Sequence, residues 1–466
     1  MTDVDLIDYY EKKKYPSHSR AIAAILIVFG GFVILGVYSI WQLWPKFITE
    51  VVPLIMSIVA TLDLPSILTT SLYGVALVVG GLFLFGVLIA VGASVLARRL
   101  GGTLIYVGAL FMNLMTWGIV ILVLATGQLS LGDLVANWPI MIPGLLTLFT
   151  TLLLFTVFKD RIRRAGQIIK LTGQVCLDEK GVFVPPLFTM IFTLISAVLF
   201  GAIIFQFAGI DVLLGTVPWT VESEASVGIG LLLYLFTTLF FYNIAYGASS
   251  GIVYIYMRGQ DPTLGDGVKA SLGVVAGLAA LAIMSVVIVL VRIALQRAGR
   301  QVGGAGGEAV GRAAGGIIGW IWALVNYFTI PAMVAEGLGA RAGIKRSAGL
   351  VRKNFVDVMI KESAVRWAFG VLALIFFIAF AVGGAAIGWV VSSGDLITAL
   401  VLAVIFIVFA AIPCSLVLRT FDIVYVTLLY VFIRRQEGEI TGKTAFSADM
   451  SRELESAYNA AKRSGS

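Results

Sequence analysis

Arg419 and Asp422 are two charges set in an otherwise apolar run near the C-terminus. Three positions apart on a helix they share a face and can pair. An ionisable residue at membrane depth is by default a candidate for holding or moving an ion, and the bland alternative is an interfacial position beyond Pro413. Asn113, Asn243 and Asn326 also stand in apolar runs. Amides there either hydrogen-bond a neighbouring helix or line a solute path. Gly247-Ala248-Ser249-Ser250-Gly251 spells the Gly-x-Ser-x-Gly string, but a hydrolase elbow needs a strand, a turn and a histidine. The run is apolar and the single histidine, His18, lies in the polar N-terminal stretch, so a small-residue packing face is the better reading. Cys176 and Cys414 are far apart. No disulfide framework, histidine-based metal site or proton relay can be assembled, and neither a metal nor a cofactor is expected.

Two patterns carry physical rather than catalytic meaning. Gly299, Gly303, Gly307, Gly311, Gly315 and Gly319 recur at every fourth position. On a helix they stack on one face, where small residues let backbones approach closely in a membrane. A helix-packing or oligomerisation seam and a flexible loop are the two readings. A phosphate-binding loop is excluded, because no Gly-Lys-Ser/Thr follows. In residues 344–359, Ile344, Ala348, Val351, Phe355 and Met359 form one stripe, with Arg341, Lys345, Arg352 and Lys353 towards the other side. Such a helix suits the surface of a bilayer and the anionic head groups there, and a positive-inside loop that happens to be helical is the equal alternative.

The elements that must position these residues are membrane helices. Of 466 residues, 59% are hydrophobic and 13% charged, whereas soluble proteins carry about 25% charge. A soluble domain, a disordered chain and a disulfide scaffold are excluded, and the expected fold is an all-α polytopic bundle. Continuous apolar runs exclude an alternating β-barrel pattern. Ten spans are expected, at 21–44, 72–97, 103–125, 139–158, 186–207, 227–257, 270–291, 315–334, 367–391 and 396–433. Residues 47–62 are too short and punctuated for another, and suit an interfacial or re-entrant segment. The runs 227–257 and 396–433 would reach about 46 and about 57 Å, more than the roughly 30 Å core needs. They must project or break, near Gly247/Gly251 and Pro413 respectively.

Charge sets the expected orientation. The net charge of +7 suggests membrane sidedness, not nucleic acid. With ten crossings, 27 of the 33 basic residues fall on one side, together with both termini, and that side is expected to be the cytoplasm of a cell (plasma) membrane protein. Arg297, Arg300 and Arg312, with Arg292 at the edge, fall on the other side. A hairpin of the seventh and eighth spans that does not cross fully would account for them without changing the parity. The expected organisation is a cytoplasmic tail at 1–20, four spans over 21–158, the first read as a retained helix because no secretory signal pattern is evident, a basic linker at 159–185, six spans over 186–435 and a polar tail at 436–466.

From about Val182 to Gly438 the chain resembles a family of bacterial and archaeal multi-pass membrane proteins catalogued as a domain of unknown function. The residues that carry the resemblance are Gly-Gln-Asp-Pro-Thr-Leu-Gly-Asp-Gly (259–267), Trp322 to Pro331 with Asn326-Tyr327-Phe328, and Glu336-Gly337 followed by Ile344-Lys345-Arg346-Ser347-Ala348. The resemblance implies a membrane location and brings no activity. Within the first block, Thr263 is placed to cap a following helix.

Two functions are nearly level. The sparse intramembrane charge, the glycine series and the basic face favour a structural or assembly protein without catalysis, with lipid and a homo-oligomer or membrane-protein partner. The long helices, Arg419/Asp422 and the asparagines favour a channel or transporter for a small solute or lipid. An enzyme comes third, for want of a nucleophile–base pair or metal ligands.

Overall fold

A computed structural model describes residues 19–46, 48–49, 53, 72–125, 141–209, 212, 217–257, 260–360, 364–392 and 394–436, and the regular elements among them are all helical. In chain order they begin with α1 (Ser19–Lys46), α2 (Leu72–Leu100), α3 (Gly102–Ala125), α4 (Ile142–Thr156), α5 (Lys159–Asp178), a short 3₁₀ turn, α6 (Val184–Ala208) and α7 (Val221–Met257). There follow α8 (Leu264–Leu272), α9 (Val275–Val325), α10 (Thr329–Glu336), α11 (Ala340–Lys353), α12 (Phe355–Ile360), α13 (Arg366–Val391) and α14 (Leu396–Gln436). His18, most of 47–62 and the tail from 437 lie outside the described residues.

Among the described residues seven helical stretches are long and apolar enough to cross a membrane, among them the first arm of α9, Val275–Gly304, and its second arm continued through α10, Gly306–Glu336. An eighth is added if α2 and α3, bent by 100° at their junction, count as one broken span. Gly101 turns that junction with φ 44°, a backbone conformation glycine adopts without strain. The fourth expected span appears as α4, whose 15 residues rise only about 22 Å.

Packing pairs set the helix directions. Phe192–Phe241 and Phe200–Tyr234 put α6 antiparallel to α7, and Tyr254–Tyr430 with Ser250–Thr427 put α7 parallel to α14. Phe32 lies on Phe200, and Gly36 abuts Leu199. Asn113–Thr151 and Tyr106–Phe155 make α3 and α4 antiparallel.

Neither long helix breaks. α7 has 37 residues and α14 has 41, with Pro413 inside it, so they outrun the bilayer core by about 25 and about 31 Å respectively. Their C-terminal ends enter the main buried core instead, where Tyr254, Met257 and Tyr425 to Ile433 pack with Phe328, Ala332 and Ala335. Short helices complete this layer. The stretch expected as a basic linker is largely α5, with a buried stripe of Ile162, Ala165, Ile169, Thr172 and Cys176. Its three- and four-residue spacing makes it an amphipathic helix rather than a tether. α8 starts on the capping box its sequence predicts: the Thr263 hydroxyl accepts the Asp266 amide, and the Asp266 carboxylate accepts the Thr263 amide.

The basic helix differs in register from its expected stripe. α11 buries Ala340, Gly343, Ser347, Leu350 and Val351 and stops at Asn354, so Phe355 is exposed on a separate short helix. The small side chains face the core because α11 packs closely on α9 and α10, with Gly343 against Met333.

Candidate functional site

The expected intramembrane polar residues take separate structural posts. Asn113 donates to Ala109 O on its own helix at 2.8 Å and to the Thr151 hydroxyl of α4 at 2.7 Å. Asn243, buried on α7, donates to Leu278 O at 3.1 Å. Asn326 bridges the break between α9 and α10, donating to Trp322 O and accepting from the Thr329 hydroxyl, both at 3.1 Å. Arg419 is exposed, with its guanidinium 5.2 Å from the centre of the Tyr242 ring. Asp422, one turn on, is half-buried. Each asparagine pins a different pair of segments.

The Gly-x-Ser-x-Gly string lies within α7 and is buried throughout. Ser249 donates to Val182 O at 3.1 Å, and Ser250 lies 3.0 Å from the Thr427 hydroxyl. A Cβ on Gly251 would meet Ala270 at 2.9 Å, and one on Gly247 would meet Ser271 at 2.8 Å. Small residues here let α8 dock directly on α7.

The glycine series folds back on itself. Gly303 (φ −130°, ψ 17°) and Gly304 (φ 57°, ψ −137°) break α9 into two arms. A Cβ on Gly307 would strike Gly299 O, one on Gly299 would strike Gly307 O, and one on Gly311 would strike Leu295 O. One on Gly315 would come 3.3 Å from Arg292 O, and one on Gly319 would come 3.0 Å from the Arg292 guanidinium. Gly303 has open space around its Cβ position and makes the turn. The close contact is therefore between two arms of one chain.

The densest polar cluster is one that the spacing of the sequence does not single out. Glu336, at the end of α10, accepts from Arg346 Nε of α11 at 3.0 Å, pairs with Arg434 of α14 at 3.5 Å, and accepts from the Tyr430 hydroxyl. Only 2% of the Arg434 side chain is exposed. Its guanidinium also sits 5.7 Å from the Tyr430 ring centre, and Tyr254 meets Tyr430 edge-on. The Tyr254 hydroxyl is buried without a hydrogen-bond partner among the described residues. Gly337, in the left-handed region at φ 62°, ends α10 and turns the chain into α11. The Glu-Gly pair is the available sequence signal, since glycine favours that position just past a helix end.

Two further sites brace the same layer. Asp357 of α12 pairs with Arg161 and Arg164 of α5 at 3.2 and 3.4 Å. Burial holds the Arg164 guanidinium below its ordinary pKa, against the opposing pull of Asp357. At the end of α5, Tyr256 donates to Asp178 at 2.6 Å. The neighbouring Glu179 carboxyl is pushed up to about 7, first by burial and then by the Asp261 and Asp178 carboxylates. Burial also raises the Cys176 thiol, which removes it as a nucleophile. At the opposite end of the bundle, Asp395 accepts the Thr398 hydroxyl at 2.6 Å and its amide at 2.8 Å. These bonds hold its carboxyl below the usual range while it caps α14. Among the described residues no group of three or more His, Cys, Asp or Glu is arranged to hold a metal ion. The residues on the expected basic face, Arg341, Lys345, Arg352 and Lys353, are all exposed on α11.

Residues 224–442 match a family described as "Family of unknown function (DUF6159)". The match begins inside α7, later than the resemblance read near Val182, and takes in α8 to α14, with the glycine hairpin and the Glu336 cluster. Helices α1 to α6 lie outside it. No curated protein matches the chain.

Proposed function

We propose that this is a non-catalytic structural or assembly protein of the plasma membrane, crossing it ten times with both termini in the cytoplasm. The observation that carries the reading is the use made of polar groups within apolar helices. Asn113, Asn243, Ser249 and Ser250 are each spent on joining one segment to another. A solute path would need such groups to face a shared opening, and here they act as pins between packed helices.

The sidedness draws support from the helix directions. Phe29 of α1 lies on Phe240 and Phe241 of α7, and Phe32 lies on Phe200, itself level with Tyr234, so α1 and α6 both oppose α7, while α7 follows α14, an order that returns Ser19 and Gln436 to the same end of the bundle. The layer of short helices at that end carries Arg163, Arg341, Lys345 and Arg352 on its exposed surface, as the positive-inside rule favours. We place anionic lipid head groups against α11 and a homo-oligomer or another membrane protein against the bundle.

The test is reconstitution of the full chain in liposomes. No flux of small ions or neutral solutes above empty vesicles is expected, and chemical cross-linking in native membranes should trap a complex of defined size. Saturable solute flux would overturn the reading, and a protein that cross-links to nothing would count against assembly.

A further inference from the structure

Asn243 donates to Leu278 O, which puts these two residues at one level of the bundle. From that level to Glu224, α7 rises about 28 Å, close to the thickness of a bilayer core. Along the first arm of α9, Arg292 lies about 21 Å above the same level and Arg297 about 28 Å. Arg297 is thus level with Glu224, while Arg292 is inside the apolar zone. The Arg292 side chain points deeper still. Helical side chains lean towards their N-terminus, and the guanidinium sits where a Cβ on Gly319 would be, 3.0 Å from that position. The charge rests near the middle of the bilayer.

Arg292 is exposed, between Val291 and Ile293 and beside Trp320 and Ile321, which are 49% exposed. The one carboxylate along the arms of α9, Glu308, is taken by Arg300 at 3.5 Å and Arg312 at 2.9 Å. Arg292 has no acidic partner among the described residues. A lone cation on a lipid-facing wall is costly and is met in membranes by pairing. Next to it, Gly316 is exposed, with nothing within 4 Å of its Cβ position, which leaves room for another backbone.

We propose that Arg292, seated in the Gly319 notch, is the intramembrane docking point for a transmembrane helix of a different membrane protein that carries a carboxylate in its apolar run. The depth and direction of the guanidinium disfavour a lipid phosphate, which lies at the head-group level with Arg297. A second copy in the same orientation is disfavoured as well. Asp422 lies one turn from Arg419 on α14, whose guanidinium is level with Tyr242, so it sits at the far edge of the apolar zone. This proposal names the partner chemistry for the assembly reading. Liposome flux decides that reading, and the peptide experiment below decides this one.

The probe is a polyleucine transmembrane peptide with one central Glu, compared with the Gln version, in phosphatidylcholine vesicles holding the full chain. Energy transfer between labelled peptide and protein reads association. The Glu peptide is expected to bind about tenfold more tightly than the Gln peptide, and Arg292→Leu should abolish the difference. Gly319→Leu, which fills the notch and keeps the charge, should weaken it. The thermal midpoint of each variant reports folding, and because Arg292 is exposed its replacement should leave the midpoint unchanged. Equal binding of the two peptides would overturn the proposal. So would Arg292-dependent enrichment of phosphatidylglycerol over phosphatidylcholine, or Arg292-dependent self-association, without peptide discrimination.

Discussion

Arg434 and Arg300 both pair with a glutamate, but their surroundings make the two pairs unequal. Arg434 is 2% exposed and Arg300 is 75% exposed. Glu336→Ala would strip the counter-charge from a buried guanidinium, a loss expected to cost roughly 3 kcal/mol. Glu308→Ala on the open hairpin is expected to cost about 0.5 kcal/mol. Thermal midpoints in one detergent compare them, and equal losses would contradict the burial argument. Glu179 gives a pH-dependent counterpart. Its carboxyl titrates at about 7 in the fold and near 4.3 in an unfolded chain, so the fold binds that proton more tightly. The stability gained is complete below about pH 4 and is lost as pH rises through about 7. Glu179→Gln stays neutral throughout, so it should raise the thermal midpoint at pH 8, with the advantage shrinking as pH falls towards 4. A constant offset across that window would show that the proton is not the cause.

At the scale of the element, the hairpin in α9 separates glycines that look alike in sequence. Gly307 faces the Gly299 carbonyl, whereas Gly316 faces open space. Gly307→Ala must push the arms apart, at a cost of about 2 kcal/mol. Gly316→Ala meets nothing and gains helix propensity of up to about 1 kcal/mol. Opposite shifts in thermal midpoint are expected, and equal shifts would mean that the arms do not pack as described. The fourfold spacing announces a close-packed face, but a stripe of this kind looks the same whether its partner is another chain or the next helix. The turn at Gly303 and Gly304 decides between them. The basic helix teaches a related lesson. Its charged side was readable at Arg341, Lys345 and Arg352. Its buried side was not, because small residues such as Gly343 and Ser347 turn inward only where a neighbouring helix comes close.

For the whole molecule, the direction of the helices gives the topology a direct check. Val302, near the hairpin turn, is 92% exposed and lies at the end of the bundle opposite Gln436. Cys176 and Cys414 are both buried, so background labelling by an impermeant maleimide should be low. Val302→Cys is expected to react on intact cells, and Gln436→Cys only after the membrane is opened. Reaction of both from outside would put them on one side and contradict the odd number of crossings proposed between them.

Composition and apolar run length determined that this chain is a helical bundle with helices fit for a membrane. That follows because lipid leaves backbone groups no partner outside a helix. The same runs did not say where the surplus length of α7 and α14 goes. Tertiary structure decided that it enters a packed layer of short helices around Glu336 and Arg434, since neither helix breaks. It also decided the fate of the polar residues. Asn113 and Asn243 were legible as amides in apolar runs, and their partners Thr151 and Leu278 come from other helices. The Glu336–Arg434 pair spans nearly a hundred positions of chain, a distance across which residue spacing carries no information about contact.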